Sequence, residues 1–288
     1  MSTLTVTLII LIGSIAVSFL YGLVTRNYST VDRIWSILPP VYVLIWMKDY
    51  LNNPRYIIAS CIVILWGVRL TANFAMKGGY RFSFRQGFTG EDYRWAVLRE
   101  KIKSRILFEL FNLVFISAFQ LILIFAFTLP LYYYGRIEGA ILPVEYVLFL
   151  LHLLFLSLET IADVQQLWFY RRRNTPPWKE QPRYTLGFNT FGLWRHLRHP
   201  NYACEMAQWV VVSLYLVAAS GSLHWSGIGA LALIALFAGS TAFTESITEQ
   251  KYPEYREWKT VTSAWIPLKG RLIRRKERAE YEEAHLRG

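Results

Sequence analysis

LTVTLIILIGSIAVSFLYGLV, residues 4–24, is a run of 21 residues without a single charge. As a helix it reaches about 30 Å, the thickness of a bilayer's hydrocarbon core. No basic segment precedes it and no small-residue cleavage pattern follows, so it reads as a retained helix rather than a signal peptide. Apolar runs recur at 34–47, 56–73, 106–129, 143–167, 201–220 and 225–247, which predicts seven spans in all. The second is short and carries Pro39-Pro40, which predicts a kinked or tilted helix. A composition of 54% hydrophobic residues, with 11 Trp, 18 Tyr and 18 Phe, agrees with a polytopic membrane protein bearing aromatic belts. The expected fold is therefore all-α, with one seven-helix membrane domain over residues 1–270. A charged tail follows over 271–288, read as an exposed, solvated helix.

The net charge of +11 is unevenly distributed. With seven spans, one side of the membrane receives segments 25–33, 77–105, 168–200 and the tail, which hold 27 of the 31 Lys and Arg residues. The positive-inside rule then puts the N-terminus outside and the C-terminus in the cytosol. Basic charge is thereby explained as topology, and no nucleic-acid partner is implied. Two cysteines, Cys61 and Cys204, and five scattered histidines give neither a disulfide framework nor a metal site.

Polar groups inside the spans fall into stripes. Trp66, Arg69, Asn73 and Lys77 share one helical face, as do Glu159, Asp163 and Gln166. Asn201, Glu205 and Gln208 form a third stripe, and Glu245, Glu249 and Tyr252 a fourth. Carboxylates and amides at membrane depth are costly, so such faces are expected to line a cavity or a ligand. The run Arg195-His196-Leu197-Arg198-His199-Pro200-Asn201-Tyr202 leads into the third stripe, and Arg171-Arg172-Arg173 follow the second. No glycine-rich phosphate turn or nucleophile elbow is present, so a Rossmann or P-loop unit is excluded.

His199-Pro200-Asn201-Tyr202-Ala203-Cys204-Glu205 resembles the His-Pro-Asn-Tyr-Phe-Gly-Glu signature of the steroid 5α-reductase-like membrane reductases. Trp66-Gly67-Val68-Arg69-Leu70, Lys77-Gly78-Gly79-Tyr80, Glu91-Asp92-Tyr93-Arg94-Trp95 and Lys251-Tyr252-Pro253-Glu254-Tyr255 are similar to the bacterial and fungal branch of that family, as are Glu159-x-x-x-Asp163 and Ile266-Pro267. The resemblance implies NADPH-dependent reduction of a carbon–carbon double bond conjugated to a ketone, in a steroid, sterol or isoprenoid. It also implies an enone substrate entering from the bilayer among membrane lipids, and a site facing the cytosol. The protein would be a monomer in the endoplasmic reticulum, or in the inner membrane of a bacterium. Carried over by position, Asp163, Arg198, His199, Asn201 and Glu205 would contact the nicotinamide or adenine nucleotide, and Arg69, Asn73 and Lys77 the phosphates. Glu159, Arg171, Tyr184, Arg195 and Tyr202 complete the cofactor set.

The sequence departs from the family at the group that polarises the ketone. The family's Gln-Glu pair before Leu-Pro is replaced by Ser36-Ile37 before Leu38-Pro39, and Trp66 occupies the third span where a tyrosine is expected. Asp32 is the nearest replacement, with Tyr80 and Tyr93 as further candidates. Two other readings share features with the chain. Isoprenylcysteine carboxyl methyltransferases have a similar Arg-His-Pro-x-Tyr entry and paired-Glu ending, while a non-enzymatic seven-span lipid-binding protein fits the topology.

Overall fold

The computed structural model describes residues 1–85, 87–266, 279–281 and 283–285. Helix α1 (Thr3–Thr25) is followed by α2 (Thr30–Trp35), α3 (Leu38–Tyr50) and α4 (Pro54–Met76). A small hairpin, β1 (Phe82–Ser83) and β2 (Gly87–Phe88), precedes α5 (Tyr93–Lys101). Helix α6 (Arg105–Phe111) runs through a π-helical segment, Asn112–Phe119, into α7 (Gln120–Tyr134). Then come α8 (Pro143–Arg172), α9 (Pro182–Thr185), α10 (Pro200–Ser220), α11 (Ile228–Lys251) and α12 (Tyr255–Val261).

Six helical segments are long and apolar enough to cross a membrane: Thr3–Thr25, Pro54–Met76, Arg105–Tyr134, Pro143–Arg172, Pro200–Ser220 and Trp225–Lys251. The expected seventh, over 34–47, is not among them. There the chain forms α2 and the 13-residue α3, separated at Ser36–Ile37. Such a helix is about 20 Å long, short of a full bilayer core. Pro39 and Pro40 lie in the first turn of α3, where a missing N–H costs nothing, so they start a helix rather than kink one.

The chain divides into two compact units. The first comprises Met1–Leu153 and Trp209–Leu233, the second Leu154–Gln208 and Ile234–Gly288. In the first unit, aromatic residues fill the core. Trp209 packs on Phe127 with ring centroids 4.1 Å apart and on Trp66 at 4.9 Å, while Trp35 meets Phe127 at 6.0 Å. Gly67 brings α4 close to the α2–α3 break: a Cβ there would lie 2.3 Å from Pro40 Cγ and 2.6 Å from the Ser36 carbonyl oxygen. At the other end of α4, buried Arg55 lies 3.6 Å from the buried Glu145 carboxylate, which also accepts a 2.6 Å hydrogen bond from Tyr134. That pairing meets the requirement that buried charge be compensated.

In the second unit, the loop after α8 is fastened to that helix. Trp194 donates its indole N–H to the Ala162 carbonyl (2.9 Å), Asn189 donates to Gln166 (3.0 Å), and Gln165 accepts from the Leu193 N–H (2.9 Å). Leu186, Phe188, Tyr255 and Trp258 form an aromatic and aliphatic cluster in which Tyr281 is also buried. Most of the charged tail, like Pro267, lies outside the described residues. Tyr281, by contrast with the expectation of a solvated tail, packs on Trp258 at 5.3 Å. Its ring gives that part of the tail an apolar side worth burying.

Candidate functional site

In the second unit, α8 and α10 run antiparallel and are joined by two amide–carboxylate rungs. Gln208 Nε2 donates to Glu159 Oε2 at 2.6 Å, and one end further along Asn201 Nδ2 donates to Asp163 Oδ1 at 3.3 Å. The spacing that put each set on one helical face is what lets the rungs form. Glu205 lies between Asn201 and Gln208 on α10 and is buried, as are Glu159, Asp163 and Gln208. The amide oxygens of this ladder are unused: among the described residues neither Asn201 Oδ1 nor Gln208 Oε1 accepts a hydrogen bond. An orphaned buried acceptor is expensive, so the ladder is chemically incomplete toward donors.

At the start of α10 a second cluster closes around buried Glu245 of α11. Arg198 Nε donates to its Oε1 at 2.7 Å and Nη2 to its Oε2 at 3.3 Å, while His199 Nε2 lies 2.9 Å from Oε1. Lys259 of the α12 segment reaches Glu245 at 3.1 Å and Glu249 at 2.5 Å. The remaining Arg198 nitrogen, Nη1, donates to the Thr262 carbonyl. The Arg198 and His199 backbone N–H groups bond the Ser263 and Ala264 carbonyls at 2.9 and 3.0 Å, so residues 262–264 are strapped to the His-Pro-Asn-Tyr entry. Outside the spans, the hydrogen bond to Glu249 holds the Lys259 amine above its ordinary pKa, and burial followed by Glu245 pushes the Tyr255 phenol well up.

The sequence-predicted cofactor residues of this unit are thus unequal in situation. Glu159, Asp163, Asn201 and Glu205 share the ladder. Arg198 and His199 are committed to Glu245, and the His199 ring stacks on Tyr202 at 5.2 Å, with Tyr202 against Phe237 at 4.7 Å. Tyr184 is buried in an aromatic stack on Phe169 at 5.6 Å. Arg171 and Arg195 are exposed. Arg172, grouped with the cations in the sequence, lies over the Trp168 and Trp178 rings at 4.6 and 4.5 Å.

In the first unit, Arg69, Asn73 and Lys77 follow one another along α4; Asn73 is buried, Arg69 half-buried and Lys77 exposed at the helix end. Asp32 is the third residue of α2 and accepts a 2.9 Å hydrogen bond from the indole N–H of Trp95. The N-cap of that helix is Ser29. The Arg33 guanidinium is spent on the Gly79 carbonyl (2.9 Å), the Gly90 carbonyl and Asn27 Oδ1 (3.3 Å). Burial first, and then the Asp92 carboxylate, push the Asp32 carboxyl above its ordinary value. Tyr80 donates its hydroxyl to the Arg33 carbonyl at 2.6 Å, and Tyr93 opens α5 as an exposed residue. The Glu91-Asp92-Tyr93-Arg94-Trp95 stretch holds the entry to α2: Glu91 accepts from the Tyr28 N–H (3.0 Å) and Asp92 N–H donates to Ser29 (2.8 Å).

Sequence reasoning picked out Gln208 and Glu245 as stripe members but did not give either a site role, and it missed Trp95 and Lys259. The i, i+4, i+7 spacing around Gln208 was the available signal. Trp95 stands in the family-like stretch Glu91–Trp95 but its pairing with Asp32 was not legible, and Lys259 had no signal, because their partners are distant in sequence.

Fold and cluster together define a predominantly helical membrane protein with a buried amide–carboxylate ladder between two helices. A family described as "Protein of unknown function (DUF1295)" matches residues 18–262, and the chain belongs to that family. It is also similar to the "Uncharacterized protein C594.04c" of Schizosaccharomyces pombe, 33% identical over 259 residues that cover 84% of this chain and 73% of that protein. No solved structure matches the chain.

Proposed function

We propose that the protein is a membrane reductase that uses NADPH to reduce a carbon–carbon double bond conjugated to a ketone in a hydrophobic lipid. The observation that carries this reading is the pair of orphaned amide oxygens, Asn201 Oδ1 and Gln208 Oε1, beside buried acids. A nicotinamide carboxamide offers the N–H donors that these oxygens lack, so the residues fit that end of the cofactor. When bound, such a cofactor supplies a hydrogen with two electrons to the β-carbon of the enone. The chain's own part in the second unit is to hold the amide end through Asn201, Gln208 and Glu205; in the first unit, the buried carboxyl of Asp32 is the candidate proton donor by its own chemistry. Arg171 and Arg195, both exposed, are the cations suited to phosphate oxygens. The resemblance of His199 to Glu205 to the steroid 5α-reductase-like signature supports the same reading.

Thermal unfolding of the detergent-solubilised protein tests it. NADPH is expected to stabilise the fold more than NADH, by about 2.7 kcal/mol at a concentration a hundred times Kd. Equal stabilisation by NADH would remove the argument that a 2′-phosphate is read. Stabilisation by S-adenosylmethionine alone would assign the chain to the methyltransferases, and no response to any of the three would favour a lipid-binding protein.

We also place the basic segments in the cytosol and the N-terminus outside, with the site opening to the cytosol. Segments 25–33 and 77–105 can share a side only if the chain crosses twice between them, so α3 is assigned as the short additional crossing before α4. The charge asymmetry supports this. Single cysteines at Arg26 and at Asp49, both exposed and on either side of α3, introduced with Cys61→Ser, are expected to react with an impermeant maleimide from opposite faces of sealed vesicles. Labelling of both from one face would remove α3 as a crossing.

A further inference from the structure

The β1–β2 hairpin presents large apolar side chains outward with cations beside them. Phe84 is fully exposed and Phe82 is 59% exposed, while Arg81 and Arg85 flank them and are exposed too. Such a display costs stability in water and calls for a covering phase. The aromatic group is preassembled: Phe82 meets Phe84 at 5.7 Å and Phe88 at 5.4 Å, both edge to face. Phe88 is in turn held under the Arg33 guanidinium, 4.5 Å from its ring.

The root of the hairpin fixes its height. The Phe88 N–H donates to the Tyr21 hydroxyl at 3.0 Å, and Tyr21 lies one turn from the end of the spanning helix α1. Gly87 allows the approach: its φ is +71°, and a Cβ there would lie 2.7 Å from the Tyr21 oxygen. The hairpin is therefore tied to the level at which the chain leaves the bilayer. Aromatic rings and arginines at that level match the two layers they would meet, acyl chains and headgroups. Neither Arg81 nor Arg85 forms an ion pair among the described residues, so their charge is available to phosphate.

We propose that this hairpin is a membrane-interface finger: Phe82 and Phe84 insert among acyl chains while Arg81 and Arg85 bind the headgroups of anionic phospholipid. The attraction is strongest on a leaflet rich in anionic lipid and falls with salt.

The test places a nitroxide at position 84 (Phe84→Cys with Cys61→Ser) on the full protein in vesicles. One set is phosphatidylcholine alone and the other contains phosphatidylserine. Phe84 touches none of the core, so the substitution leaves the fold intact. The label is expected to relax with oxygen and to be shielded from an aqueous nickel chelate. A label at Thr89, exposed at the root of the hairpin just after β2, should remain open to the chelate. Arg81→Glu with Arg85→Glu should raise chelate access at position 84 several-fold in phosphatidylserine vesicles and much less in phosphatidylcholine. Equal chelate access at 84 and 89 would overturn the proposal. So would shielding of position 84 from both reagents, which would mean that protein covers the hairpin. Shielding that survives charge reversal in both vesicle types would overturn its anionic-lipid part.

Discussion

Glu245→Ala is expected to lower stability by about 3–5 kcal/mol, the cost of leaving buried cations without their carboxylate. Glu245 is the meeting point of Arg198, His199 and Lys259, and the Arg198 side chain is only 11% exposed. Removing the carboxylate leaves that guanidinium with the Thr262 and Lys259 carbonyls and the neutral Tyr255 hydroxyl, and loosens the strap at 262–264 from the entry to α10. Thermal unfolding in detergent should therefore show a large fall in Tm, with Glu249→Ala as the contrast. Glu249 is more exposed, and its pair with Lys259 should contribute about 1 kcal/mol or less. A buried pair costs desolvation as well as gaining attraction, so Arg198→Met combined with Glu245→Leu should recover much of the loss. An unchanged Tm in Glu245→Ala would show that the cluster does not hold this end of the unit.

The expected spans were legible because an apolar run is a local property of sequence. Six of them correspond to long apolar helices, including 106–129, although nothing in NLVFISAF (112–119) announces its π-helical turn. The difference at 34–47, where the sequence predicts a kinked span and a short helix instead starts at the prolines, has a local cause. Pro39-Pro40 can kink a helix or begin one, and sequence alone does not distinguish the two until the break at Ser36–Ile37 is seen.

Stripes were legible for the same reason, since spacing along one helix fixes a face. Partners across helices were not. Glu159, Asp163, Asn201 and Gln208 could be read as two polar faces, but the rungs joining Glu159 to Gln208 and Asp163 to Asn201 depend on the register of α8 against α10. Arg198 illustrates the consequence. Its place in the His-Pro-Asn-Tyr entry suggested a cofactor contact, whereas its side chain is occupied by Glu245 and the Thr262 carbonyl. Segment 77–105 read simply as a basic loop, because a two-residue strand is too short to show periodicity.

Asp32→Asn is expected to lower turnover on an accepted enone by about a hundredfold or more while leaving NADPH affinity unchanged, the signature of a lost general acid. The assignment rests on the proposed reductase function and on two observations. The carboxyl is held by the Trp95 indole at 2.9 Å, and burial and Asp92 favour its protonated form. Asparagine keeps an acceptor for Trp95, so the fold should survive. The sign of the linkage gives a second readout that does not depend on catalysis. Between the ordinary value of 3.8 and the raised one, folded Asp32 keeps a proton that the unfolded chain has released. The folded state then binds more protons, and stability falls as pH rises through that window. Asp32→Asn should remove this contribution, flattening the stability profile there and leaving the variant no less stable than the parent above it. Flattening with normal turnover would confirm the titration but end the catalytic role, moving the search for the acid to Tyr80 and Tyr93. An unchanged pH profile together with reduced folding would instead make Asp32 a structural acceptor for Trp95, holding α5 against the entry to α2.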